Sequence, residues 1–139
     1  HAWIGKPGAE FWHCYNVRDW AGARRLLADE MTVVDHRPLS SGTTLRSADE
    51  LIDYVTTMIE LVPDLIAYDT EHLRIGSRCG IHRHLALGTS RDGAAVELET
   101  LVLTEMRDGR FVRSETFAPD QVAEAIARFD ELDSDAAGA

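Results

Sequence analysis

The chain has 139 residues, of which 45% are hydrophobic and 27% charged, a composition typical of one globular domain with a buried core. Its 14 basic and 24 acidic residues give a formal net charge of -10, which argues against nucleic acid or an anionic membrane as the main partner. No apolar run approaches the ~20 residues that cross a bilayer, and no signal-peptide pattern is present. We therefore expect a cytoplasmic protein with one domain over residues 1–139.

Two short helical patterns occupy the first part of the chain. Pro7 suits a first helical turn, and the apolar residues after it predict a helix: Phe11, Trp12, Cys14 and Tyr15. Asp19 is expected to cap a second helix, WAGARRLLADE, over residues 20–30. The β-branched run MTVVDH then predicts a short strand, and RPLSSGTT a turn-rich loop.

A third helix has the clearest signal in the chain. Ser47 and Glu50 form a capping box. The apolar stripe that follows has helical spacing and ends before Pro63; its members are Leu51, Val55, Met58 and Val62.

From Leu65 onward the apolar period changes from that of a helix to that of a strand. Four strands are predicted, at 65–75, 79–89, 94–106 and 110–117, and Asp-Gly pairs mark two of their turns. A closing helix is predicted in APDQVAEAIARFDEL, and residues 132–139 are expected to form a flexible tail after a core of about 8–131. The fold class is therefore α+β, with helices on one face of an antiparallel sheet.

Three stretches resemble the nuclear-transport-factor-2-like (NTF2-like) superfamily, in particular its SnoaL-like branch. They are YNVRDWAGARRLLADEMTVVDHRP, SADELIDYVTTMIELVPD and VELETLVLTEMRDGRFVRSETFAPDQV, and the resemblance covers roughly residues 11 to 131. It implies a cone, in which a curved sheet wraps around about three helices and encloses a pocket, with a C-terminal helix and a homodimer through the sheet face. The superfamily includes isomerases, cyclases, epoxide hydrolases, dehydratases and domains that only bind, so the fold does not assign the chemistry.

The resemblance places Asp35 where ketosteroid isomerases carry their general base, with His36 beside it as a second acid–base candidate. Two alternatives stay open for Asp35. An apolar cavity would raise its pKa toward neutrality, whereas an ion pair with Arg37 would lower it and disable the base. The two oxyanion-hole positions of the isomerases align with Phe11 and Val102, which donate no side-chain hydrogen bond, so steroid isomerisation is disfavoured.

The inner face of the expected cone predicts a ligand pocket, although each of these side chains also suits a plain core. The predicted ligand-binding residues are Phe11, Trp12, Tyr15, Trp20, Tyr54, Met58, Leu98, Thr100 and Val102. We expect the partner to be a small apolar or amphipathic molecule, with no cofactor and no metal.

His82 and His84 share one face of a predicted strand and form a His-x-His pair. Two histidines on one face can chelate a metal, but a site needs a third ligand, and nothing in the spacing requires His72, Glu97 or Glu99 to supply it. We therefore expect this pair to face solvent or a dimer interface. Leu101 and Leu103 are assigned to the outer face of the next strand, together with Glu105, where a dimer partner is expected to cover the leucines.

Two functional hypotheses follow, beside a third possibility, a pure dimerisation scaffold with a collapsed interior. The first is a SnoaL-like domain that binds a small molecule, as a sensing or dimerising module of a larger bacterial protein. The second is a cofactor-independent isomerase, polyketide cyclase, dehydratase or hydrolase in which Asp35 is the general base, assisted by His36, Tyr15 or Tyr54.

Overall fold

The computed structural model describes residues 5–38, 40 and 44–138. Within them the helices are α1 (Gly5–Asn16), α2 (Trp20–Arg25), α3 (Ala48–Leu61) and α4 (Val122–Gly138). The strands are β1 (Leu27–Asp35), β2 (Thr44–Ser47), β3 (Ile66–Ile75), β4 (Cys79–Thr89), β5 (Ala95–Arg107) and β6 (Arg110–Phe117). Among the helices so described, none has the length and apolar character needed to cross a membrane.

The strands form one open sheet in the order β2-β1-β6-β5-β4-β3. Neighbours are antiparallel except β1 and β6, which run parallel. The sequence predicted a purely antiparallel sheet and missed β2. The sheet is mixed because β6, the last strand of the antiparallel meander β3–β6, pairs with β1 in parallel. The predicted α+β class, with helices α1 and α3 against the sheet and α4 behind it, is confirmed.

Helix α3 begins as the capping box predicts. The Ser47 hydroxyl accepts a hydrogen bond from the backbone N–H of Glu50 at 3.1 Å. Leu51 and Val55 face the interior of the cone. The helix ends at Leu61, just before Pro63.

The boundary between α2 and β1 was predicted wrongly. The helix ends at Arg25, and the residues expected to continue it belong to β1. Leu27 and Met31, 2% and 3% exposed, both face the core. The apolar spacing that predicted the helix, Trp20, Ala23, Leu26 and Leu27, therefore continues past the end of α2 to the first residue of β1.

The turn between β5 and β6 follows its sequence signature. Asp108 and Gly109 both have positive φ, at 52° and 78°. A two-residue hairpin of type I′ requires this conformation at both positions. The turn places Arg107 opposite Arg110, and the pairing of β5 with β6 then shifts by one residue between Met106 and Glu105.

Helix α4 packs on the outer face of the sheet. Leu101 and Leu103 are fully buried in one cluster with Ala125 and Phe129 of this helix. The expectation that a dimer partner covers these two leucines is therefore wrong, because the chain's own helix covers them.

The predicted tail is also part of α4 as far as Gly138. Leu132 packs against the α4 cluster. Asp133 accepts hydrogen bonds of 3.3 Å from the Ser77 hydroxyl and from the backbone N–H of Arg78, in the turn between β3 and β4. These contacts fasten the start of the segment that the sequence treated as flexible.

Candidate ligand cavity

A cavity of about 100 Å³ lies between the inner face of the sheet and helices α1 and α3. Its apolar wall consists of Phe11, Trp12, Leu27, Met31, Leu51, Val55, Val102 and Phe111. The polar groups on the wall are Asp69, His82, Thr104 and Ser114. An engineered apolar cavity of roughly 150 Å³ accommodates benzene, so this cavity has the scale of a single ring.

Strand β3 carries a bulge that turns two polar side chains toward the cavity side. Its pairing with β4 shifts between Asp69 and Glu71. Asp69 pairs with His84, and His72, three residues later, pairs with His82. Simple alternation puts residues three apart on opposite faces, but an extra residue in the bulge restores them to one face.

Strands β3, β4 and β5 thus assemble an inner histidine cluster, which we define as Asp69, His72, His82, His84 and Thr104. The Nδ1 atoms of His72 and His82 lie 2.6 Å apart. Nδ1 of His84 lies 3.1 Å from Oδ1 of Asp69, and Nε2 of His82 lies 3.4 Å from the Thr104 hydroxyl oxygen. His82 and His84 are 4% and 8% exposed.

Burial lowers the pKa of His82, and repulsion from His72 and His84 lowers it further, against the opposing effect of the Asp69 carboxylate. His82 is therefore neutral at pH 7, with one ring nitrogen protonated and the other bearing a lone pair. A neutral imidazole and a hydroxyl consequently stand side by side at the polar end of the cavity.

The prediction that His82 and His84 face solvent or a dimer partner is wrong. His82 pairs directly with Val102 across β4 and β5, and His84 with Thr100. Directly paired residues of an antiparallel ladder have side chains on the same face. Val102 was assigned to the interior, and the Asp92-Gly93 turn sets its pairing with His82. The turn could therefore have placed His82 in the interior as well. Asp69 and Thr104, which also line the cavity, were not predicted.

In the part of the chain that the structure describes, no group of three or more His, Cys, Asp or Glu side chains is arranged to hold a metal ion. The His72–His82 contact joins two ring nitrogens at hydrogen-bonding distance.

Asp35 lies at the end of β1 and does not line the cavity. Its Oδ2 accepts a hydrogen bond of 2.7 Å from an Arg37 terminal nitrogen, and its Oδ1 accepts bonds of 3.0 Å from Arg37 Nε and from the Arg37 backbone N–H. The side-chain bonds from Arg37 hold the pKa of Asp35 below its ordinary value, against the effect of partial burial. Of the two alternatives for Asp35, the structure shows the ion pair.

The His36 ring contacts two residues of β6. Its Nε2 lies 2.6 Å from Oε1 of Glu115, and its ring stacks on Phe117 with centroids 4.6 Å apart. The two predicted catalytic residues are therefore not brought together at one site.

The predicted ligand-binding residues lie in four different environments. Phe11, Trp12 and Val102 line the cavity. Tyr15, Trp20 and Met58 belong to a neighbouring apolar cluster around Val62 and Leu65, and Thr100 is buried opposite His84. Tyr54 and Leu98 are exposed, at 50% and 44%. Both positions that align with an isomerase oxyanion hole are thus on the cavity wall, and both are apolar.

No protein-family model matches the chain, and neither does any curated protein. Solved structures do match. An NTF2-like protein of unknown function from Exiguobacterium sp. 255-15 has a TM-score of 0.69 at 15% identity, over 82% of this chain and 98% of that one. A proposed polyketide cyclase from Streptomyces antibioticus has a TM-score of 0.70 at 19% identity, over 88% and 96%.

A third structure, of a Mycobacterium tuberculosis protein in complex with estradiol-17beta-hemisuccinate, has a TM-score of 0.68 at 14% identity, over 80% of this chain and 89% of that one. These likenesses confirm the NTF2-like cone fold that the sequence resemblance predicted. At such low identities they establish the fold alone, and the chemistry has to be argued from the cavity.

Proposed function

We propose that the chain binds a small, mostly apolar molecule inside its cone. The observation that carries this proposal is the cavity of about 100 Å³, walled by apolar side chains from α1, α3 and the sheet and polar at one end. Such a combination of apolar wall and few polar groups is typical of ligand sites. Solved structures of the same fold hold estradiol-17beta-hemisuccinate and trimethylamine, so cones of this kind accept ligands of very different size.

Cavity size favours a ligand of about one ring over a steroid. A thermal-shift and NMR screen with toluene, phenol, cyclohexanol and estradiol tests this. A ligand that binds only the folded state stabilises it by RT ln(1 + L/Kd), where L is the free ligand concentration, and thereby raises Tm. We expect the single-ring compounds to raise Tm and estradiol to leave it unchanged.

A variant that fills the cavity provides the specific control. Val102→Phe adds a ring on the cavity wall and should abolish the shift by every single-ring compound while far-UV circular dichroism stays native. Val17→Phe makes the same change at a position 57% exposed and should keep the shift. If none of the compounds shifts Tm or perturbs cavity resonances in the parent chain, the binding proposal is wrong.

The enzymatic alternative built on Asp35 has weaker support. The ion pair with Arg37 lowers the pKa of this carboxylate, and a base of lower pKa is a poorer proton acceptor at neutral pH. Asp35 also lies outside the cavity wall. We therefore retain binding, in a sensing or dimerising module, as the proposed role.

We also propose that the module is a homodimer through the part of the outer sheet face that α4 leaves uncovered. Ile66 and Tyr68, 43% and 40% exposed, pair with Leu87 and Leu85 across β3 and β4. At the edge of this patch Arg83 binds Glu71 and Glu99, so a second copy related by a two-fold axis would meet charges of both signs. Analytical ultracentrifugation should give a dimer that Tyr68→Glu converts to a monomer; a monomeric parent chain would refute this.

A further inference from the structure

The polar end of the cavity is built from one donor–acceptor pair. His82 and Thr104 both line the cavity, with Nε2 and Oγ1 3.4 Å apart. This distance is longer than the usual hydrogen bond. A ligand oxygen can therefore lie against both atoms and replace a weak mutual contact with two better ones.

His72 restricts what His82 offers to the cavity. Since the two Nδ1 atoms are 2.6 Å apart, one of them must be protonated and the other must accept. This bond occupies Nδ1 of His82, so Nε2 is the ring nitrogen that remains for a ligand in the cavity. His72 is thus a positioning residue that holds the His82 ring from the exposed side and couples the tautomer of His82 to its own.

The chemistry of the pair selects one functional group. A neutral imidazole Nε2 is either a donor or an acceptor, while the Thr104 hydroxyl serves as both. A ligand hydroxyl, which donates one bond and accepts another, complements the pair in either tautomer. A carboxylate would meet the nearby Asp69 carboxylate on the same wall. An ammonium group would find Asp69 already bonded to His84.

The remaining wall specifies the body of the ligand. Phe11, Trp12 and Phe111 contribute ring surfaces to a cavity of about 100 Å³. We propose that the cavity recognises a single-ring, uncharged molecule bearing one hydroxyl group, a phenol or cyclic alcohol, through His82 and Thr104. This assignment rests on the proposed function, because the molecule must occupy the cavity. It adds the chemical class of the ligand and the two residues that bind its hydroxyl group.

Affinities of phenol and toluene, measured by NMR titration of the full chain, test the proposal. The two probes have nearly the same shape and differ in the hydroxyl. We expect phenol to bind about thirtyfold more tightly, because its hydroxyl gains two hydrogen bonds that together contribute about 2 kcal/mol. Phenol, and not toluene, should also shift the ¹⁵N resonance of His82 Nε2.

Variants separate recognition from folding. His82→Phe and Thr104→Val should bring phenol to the affinity of toluene while toluene binding persists. His72→Phe should reduce the phenol preference and broaden the His82 tautomer signals, again without loss of toluene. His13→Gln removes an exposed imidazole from α1 and should change neither affinity.

Each outcome has one meaning. Equal binding of phenol and toluene to the parent chain, or tighter binding of benzylamine than of phenol, would overturn the hydroxyl assignment and leave the cavity proposal standing. A phenol preference that survives both His82→Phe and Thr104→Val would overturn the assignment of these residues. Absence of binding by all three probes would instead defeat the proposed function itself.

Discussion

Nε2 of His36 lies 2.6 Å from Oε1 of Glu115, and this contact ties the segment after β1 to the buried interface between the sheet and α4. Glu115 is fully buried and also accepts hydrogen bonds from Arg128 Nε at 3.0 and 3.1 Å and from Arg113 at 3.1 Å. Burial opposes ionisation, but the bonds from Arg128 and His36 outweigh it and lower the pKa of Glu115. The carboxylate is therefore the centre of an ionised network that fastens α4.

Glu115→Ala should destabilise the fold strongly, because it leaves two guanidinium groups without their shared partner. Removing one partner of a buried ion pair costs about 3–5 kcal/mol of unfolding free energy. Urea denaturation followed by circular dichroism measures it. Glu131→Ala removes a carboxylate that is 64% exposed from the same Arg128 and should cost less than ~1 kcal/mol. Equal losses for the two variants would contradict the network.

Asp35 should titrate below the ~3.9 of a free aspartate in a carboxylate-resolved NMR titration. Its folded pKa is depressed, so the stability from its pair with Arg37 is present at neutral pH and is lost as pH falls through the folded pKa. Arg37→Gln should raise the titration midpoint. Asp35→Asn should leave toluene and phenol binding unchanged, and a loss of binding would place Asp35 back in the site.

Acidification should weaken the fold through His82. Its folded pKa is below the ordinary value, so between the two pKa values the unfolded chain binds more protons. The stability that neutral His82 contributes to the fold is fully present above the unfolded pKa of about 6.5, and it declines as pH falls toward the folded pKa. Asp69, His72 and His84 are the titratable groups that interact electrostatically with His82.

The measurement is the unfolding free energy from pH 7.5 to pH 5.5 for the parent chain and for His82→Phe. The variant should lose less stability over this range than the parent, whereas His13→Gln should follow the parent. A parent curve with the same slope as the His82→Phe curve would show that His82 is not held neutral.

Replacement of glycine by alanine should change the unfolding free energy in opposite directions at two positions. Gly109 has φ of 78° in a hairpin turn, so Gly109→Ala should destabilise by about 1 kcal/mol. Gly8 lies in α1, where an added Cβ would stand 3.8 Å from Asp69 Oδ2, an ordinary contact. Gly8→Ala should therefore stabilise by about 0.5–1 kcal/mol, because alanine favours the helix. Chemical denaturation of the two variants checks the pair.

Local signals predicted the elements well. The capping box at Ser47 fixed the start of α3, and β4 and β6 begin and end where the alternation predicted. These features depend on neighbours in sequence, which a pattern can read directly. The edge strand β2 has no such signal, because it has only four residues and the sequence before it, RPLSSGT, is rich in turn-forming residues.

Long-range features were harder to predict. Alternation divides the residues of β4 between two faces but does not show which face is inside. On β5, the apolar outer face was expected to need a second chain, whereas α4 of the same chain covers it. The bulge after Asp69 changes the parity of β3, so no regular pattern could place Asp69 and His72 together. The candidate site depends on these two features, and for that reason most of its polar residues were missed.

The parallel pairing of β1 with β6 has a consequence for synthesis. β1 has only the four-residue β2 as a partner until the segment 110–117 has been made, since its other neighbour is the last strand. A nascent chain that ends at residue 61 therefore lacks Phe111 and Met106, which complete the core cluster around Leu27 and Met31. Contacts so distant in sequence close late. We expect the first half of the chain to remain unfolded on the ribosome until the final hairpin emerges, and fragments 1–61 and 62–139 to fold only when mixed.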